Sequence, residues 1–180
     1  MATLTLYPTG VGDYTYIVDE FPDGAAHWSV VDEAVVDDTD LVLQNPAVQA
    51  EAFDVYTLTD TTLIGVITAV TVYFRARRAT TSSGQTATPR LVLGASTTTG
   101  TPVTLSTTFT TYSEALARPG GGSWAFSDIN SLQAGVGLKG AVGNDNARCS
   151  QVYVEVTYTP ATVATLTLYP TGVGDYTYIV

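Results

Sequence analysis

The strongest order in this chain is an alternation of apolar and polar residues with a period of two, broken by short turn-forming stretches. Residues 62–78, TLIGVITAVTVYFRARR, carry it furthest: Val70, Val72, Phe74 and Ala76 fall on one face, and Thr71, Tyr73, Arg75 and Arg77 on the other. A strand that packs one face on a core and wets the other has this pattern. The same period runs through TLTLYP (3–8), DYTYIV (13–18), AHWSVVDE (26–33), DLVLQ (40–44), AFDVYTL (52–58), RLVLGA (90–95) and PVTLSTTFTTYSEALA (102–117). In SQVYVEVTYTP (150–160), Val152, Val154 and Val156 share a face and Pro160 ends the run. TGVGD is expected to turn the chain between the first two segments, and ATTSSGQTATP and ARPGGGS (117–123) read as loops. One short helix is expected in SWAFSDINSLQAGVGLKG, capped by Ser127 or Asp128, running through Ile129 and Leu132 to Ala134 and stopped by Gly135. Roughly nine to eleven short strands with such punctuation predict an all-β fold, an antiparallel jelly-roll-like β-sandwich with one short helix.

Residues 2–18, ATLTLYPTGVGDYTYIV, return without a single difference as residues 164–180. The spacing (164 − 2 = 162 residues) far exceeds the ~20–50 residues of solenoid units. Residues 2–163 are therefore read as a single β-sandwich repeat unit. Residues 164–180 are read as the first strand of a following unit or as an appended donor strand. The two copies suit one slot equally and cannot both fill it. The spare copy is expected to complete the sheet edge of another molecule. That contact is heterologous and head to tail, and its open product is a filament. Leu4, Leu6 and Tyr7, with their copies Leu166, Leu168 and Tyr169, are the residues expected to insert. Residues 161–163 reach only about 10 Å, so consecutive units would touch.

Composition sharpens this picture. About one residue in six is threonine and eleven are tyrosine, both favourable in strands. Residues 1–74 hold twelve acids and no lysine or arginine, residues 75–180 five acids and seven bases, and the net charge is −10. Such a chain offers no electrostatic footprint for phosphate backbones, so nucleic acid is not expected as a partner. No apolar run approaches the ~18–20 residues of a membrane span. Cys149 is the only cysteine, which precludes an internal disulfide and predicts a buried thiol.

Catalytic patterns are sparse, and no enzyme is expected. His27 is the only histidine, and no G-x-S-x-G elbow accompanies it. GVGLKG (135–140) spells G-x-G-x-x-G, yet a dinucleotide site needs a strand before it and a helix after it; these are read as strand and turn glycines. Asp37, Asp38 and Asp40 are hard oxygen donors that suit calcium, without EF-hand spacing. No other cofactor is expected. Trp28, Trp124 and the tyrosines could stack on sugar rings.

Four stretches, DVYTLTD, ITAVTVYFRARR, LSTTFTTYSEALARPGGGSWAFSDINSLQAGVGLK and ARCSQVYVEVTYTP, resemble in order a β-sandwich module of phage virion proteins and large prokaryotic surface proteins. That module is similar in layout to the jelly-roll domains known by their DNRLRE signature. The resemblance covers residues 52–160 best, and W-x-x-x-D-I-N-x-L-Q-A-G-V is its most specific part. It implies a structural or adhesive module, often repeated, with no catalytic residues to carry over. The expectation is a structural repeat of an extracellular filament, cell-surface appendage or virion fibre, whose partner is itself. The alternative is a carbohydrate- or receptor-binding sandwich.

Overall fold

The computed structural model describes residues 1–44, 50–81, 84–141 and 146–162. Among them the chain forms β1 (Ala2–Leu6), β2 (Pro8–Thr15), β3 (Asp19–Phe21), β4 (Leu41–Gln44), β5 (Ala52–Leu58) and β6 (Gly65–Arg78). There follow β7 (Thr86–Leu93), β8 (Ser96–Thr99), β9 (Val103–Thr104), β10 (Thr110–Ala115), β11 (Leu132–Lys139) and β12 (Ala147–Pro160). One sheet runs β10-β6-β12-β4-β3, with β1 also on β12; the other runs β2-β5-β11-β7-β8, with β9 on β7. All pairings are antiparallel. The rows β4-β12-β6-β10 and β5-β11-β7-β8 are the two sheets of a jelly roll, because successive long strands from β4 to β7 and from β10 to β12 alternate between them.

The period-two pattern decides which face is buried. Val70, Val72, Phe74 and Ala76 of β6 and Val152, Val154 and Val156 of β12 are each at most 1% exposed. They meet the inner residues of the other sheet in two clusters. One gathers Phe74, Tyr56, Val136, Leu138 and Leu105; the other gathers Val72, Leu91, Leu132, Ile129 and Val156. Cys149 lies in the first, fully buried, and burial pushes its thiol up to about 12.

Local structure departs from the pattern at four places. TGVGD continues β2 and does not turn, since Gly10 and Gly12 let this strand lie close on β5; a Cβ on Gly12 would stand 2.4 Å from the Val55 carbonyl oxygen. HWSV is a 3-10 turn, His27–Val30. Val30 and Val31 are both buried, which no alternating strand with one wet face allows. The helix is one turn, Phe126–Ile129, in which Asp128 accepts the Ala125 N–H at 2.8 Å. Leu132 and Ala134 belong to β11, a strand flanked on both sides by β5 and β7 and buried over residues 134–138. Finally, β7 starts at Thr86 within the expected loop, and β3 and β8 were not legible as strands.

Candidate functional site

The slot that receives residues 2–18 is built from one strand of each sheet. On β12, β4 covers only Ala147–Cys149, and the Val31 carbonyl takes the Val152 N–H at 2.8 Å. Beyond that point the edge would present unpaired backbone groups. Strand β1 covers it, with Ala2 opposite Tyr158, Leu4 opposite Val156 and Leu6 opposite Val154. Leu6 is 1% exposed in the second cluster, and Leu4 packs beside it half-buried. Tyr7 faces outward, its ring 5.8 Å from Tyr153, which stacks on Tyr73 at 4.7 Å. The chain then crosses to the other sheet. Thr59 N–H donates to the Tyr7 carbonyl at 3.0 Å, β2 follows β5, and Ile17 enters the first cluster. One seventeen-residue stretch thus lays an edge strand on each sheet and a plug in each core cluster. Its copies Leu166, Leu168 and Tyr169 lie outside the described residues.

A buried polar network holds the far end of this stretch. Asp54 shares the inward row of β5 with Tyr56 and Leu58 and is fully buried. Its Oδ1 accepts the Ile17 N–H at 2.9 Å; its Oδ2 lies 2.5 Å from His27 Nδ1 and accepts the Tyr56 hydroxyl at 3.4 Å. His27 Nε2 lies 3.1 Å from Glu20. The hydrogen bond to Asp54 raises the imidazole above its ordinary value against the opposing cost of burial, and the charges of Asp54 and Glu20 add to the rise. Both ring nitrogens are engaged, so His27 acts here as a structural cation. A carboxylate on the apolar row of AFDVYTL and a single histidine elsewhere were the sequence signals for this pair.

Both ends of residues 2–160 sit at one pole of the sandwich. Ala2 starts β1 opposite Tyr158, and β12 ends two residues later at Pro160. Ala161 N–H bonds the Ile64 carbonyl at 3.2 Å. Ile64 and Val66 are 64% and 69% exposed at this pole, beside Leu63 at 39%.

The remaining candidate residues are dispersed. Asp38 holds Arg75 through two bonds of 2.7 Å and accepts from Ser150 at 2.9 Å. The Thr39 hydroxyl lies between Asp37 and Asp40, at 2.7 and 3.4 Å. Among the described residues no group of three or more acids, histidines or cysteines is placed to hold a metal. Trp28 packs on the first core cluster and Trp124 on the second. Gly135 and Gly137 lie within β11. No helix among the described residues is long and apolar enough to cross a membrane. No protein-family model matches the chain, and no curated protein matches it.

Proposed function

We propose that this chain is a structural repeat module of an extracellular or virion assembly, joined to a neighbouring copy through the slot of residues 2–18. One observation carries the reading: the stretch that lays an edge strand on both sheets is the stretch that the chain carries twice. Being identical in sequence, a donated copy would take the register that residues 2–6 hold on β12 and the contacts that residues 8–15 hold on β5. A donated copy would bring the ladder bonds of two edges and the burial of Leu6 and Ile17, each worth roughly 1.5–3 kcal/mol.

The position of the ends favours one geometry of joining. The four steps from Pro160 to residue 164 span at most about 14 Å. A donor therefore brings its own pole to the acceptor's pole, where Ile64 and Val66 offer apolar surface. A head-to-tail filament by this route needs exit and slot at opposite poles. Adjacent exit and slot favour a reciprocal pair, in which each copy fills the other's slot, as the unit of any larger fibre. Filling in cis would need a hairpin loop of residues 159–163, five residues and thus of common length.

Cysteine cross-linking separates these routes. Thr3 faces Thr157 directly across β1 and β12, and Thr165 is the counterpart of Thr3. Directly opposed residues of an antiparallel pair lie about 4.5–5.5 Å apart, within disulfide reach. Thr157→Cys with Thr165→Cys is expected to give a covalent dimer on oxidation. A cross-linked monomer would show the copy sealing its own domain, and no cross-link would mean that the copy never enters the slot. Either result sinks the proposal.

A further inference from the structure

The outer face of the β6–β12 sheet gathers three arginines, Arg75, Arg77 and Arg148, in a chain whose net charge is −10. Three arginines of the chain have carboxylate partners: Arg75 on this face with Asp38, and elsewhere Arg90 with Glu51 and Arg118 with Asp128. Arg77 and Arg148 differ. They stand directly opposite each other on β6 and β12, a like-charge cross-strand pair that is unfavourable without a counter-charge. The Nε of each is buried and makes no hydrogen bond among the described residues. The Arg77 guanidinium lies over the Phe109 ring at 4.9 Å, which fixes its plane. It lines a surface pocket of about 300 Å³ with Asp38, Arg75, Thr107, Thr108 and Phe109. Asp38 on the rim is committed to Arg75 and Ser150, and these bonds hold its carboxyl below the ordinary range. Its hydrogen bonds thus go to Arg75 and Ser150, with the charge of Arg77 a lesser influence on it, and among the described residues neither Arg77 nor Arg148 forms a salt bridge with a carboxylate.

From this geometry we infer that the pocket is a binding site for a compact oxyanion, held by Arg77 with Arg148 behind it and the exposed hydroxyls of Thr107 and Thr108 at its mouth. The guanidinium presents a planar fork of donors that matches such a group. Desolvation, reinforced by the charge of Arg77, lowers the affinity of Arg148 for its proton, and an anion bound on Arg77 would offset that second effect. The site lies on the outer face of the sheet and is independent of the β1–β2 slot.

The test is a titration of the full chain with sodium sulfate and, separately, sodium acetate, at ionic strength held constant with sodium chloride. Binding is read from backbone amide shifts at Arg77, Phe109 and Arg148 and from the midpoint of thermal unfolding. The expected result is saturable shifts at these residues, weakened at least tenfold in Arg77→Gln and also in Arg148→Gln. The stronger of the two anions tells a sulfate- or phosphate-type ligand from a carboxylate. Sulfate also raises melting temperatures non-specifically through exclusion from protein surfaces. A rise that persists undiminished in the Arg77→Gln/Arg148→Gln double variant, or shifts that grow linearly without saturating, would overturn the site.

Discussion

Leu6→Ala measures whether the second copy reaches the slot, because its cost depends on whether a replacement strand exists. Leu6 is 1% exposed and packs in the second core cluster. Truncating a buried leucine costs roughly 2–5 kcal/mol, and an edge strand that can relax belongs at the lower end, about 2–3 kcal/mol. In a chain ending at Val163 that whole cost should appear, since only residues 2–18 can cover β12. In the full chain the unaltered Leu168 is available, and a copy of equal affinity can take over. If two equivalent occupants shared the slot, losing one removes only RT ln 2, about 0.4 kcal/mol. Urea denaturation followed by tryptophan fluorescence measures both values. The expected difference between the two backgrounds is about 2 kcal/mol. It should grow with protein concentration if the replacement comes from another molecule and stay constant if it comes from the same one. Equal costs in both backgrounds would refute the idea that the copies are interchangeable.

Three further outcomes follow from the packing and the charges. Because the native state holds His27 above its ordinary pKa, it binds more protons than the unfolded chain once pH exceeds about 6.5. The stability from the His27–Asp54 pair is thus complete below that pH and lost as pH rises through the folded value; denaturation at a series of pH values should show the loss, and His27→Gln should remove it. Burial, with a smaller contribution from the charges of Asp32, Asp40 and Asp37, raises the Glu33 carboxyl from 4.5 to about 7, so the chain should also lose stability as pH rises between those values, and Glu33→Gln should flatten that part of the profile. Gly135→Ala should destabilise by at least about 1–3 kcal/mol, because its Cβ would lie 1.9 Å from the Asp54 carbonyl oxygen; wild-type stability in that variant would contradict the close approach of β11 to β5.

The sandwich was legible because alternation is a direct readout of one-sided burial, and β6 and β12 kept their expected faces. Alternation fails where both faces of a strand are covered. Residues 134–138 are buried without a break, on both faces of β11, and their Ala, Gly, Val and Leu content then fits a helix as well as a strand. It fails again at HWSV, where the buried Val30 and Val31 are consecutive. The slot was partly legible. TLTLYP implied an edge strand with Leu4 and Leu6 inward; the same alternation puts Tyr7 outward, against the expectation that it inserts, and nothing local announced that the next residue would cross to the second sheet. Asp54 was the least visible part. A carboxylate on an apolar row is a signal only when its distant counter-ion, His27, is known to fold beneath it.

The duplicated stretch carries more identity than its packing can explain. Leu6, Pro8 and Ile17 are buried, and Gly10 and Gly12 press on β5; any strand that fills this slot must keep them. Thr3, Thr9, Val11, Asp13, Thr15, Tyr16 and Val18 are exposed, and surface substitutions of this kind usually change stability by less than about 0.5 kcal/mol. Selection for fit alone would leave those seven positions free to differ between the copies, yet all are the same. Their identity points to copying of the whole segment, with too little divergence since to have touched even unconstrained residues. Two unaltered copies are also energetically degenerate, so neither has an intrinsic preference for the slot. The choice between them then rests on connectivity: how closely residues 161–163 hold the second copy, and how much of the apolar pole at Ile64 and Val66 a neighbour covers. A joint of this kind is set by the linker and the pole, and substitutions there should shift the balance between closed and exchanged forms without altering either strand.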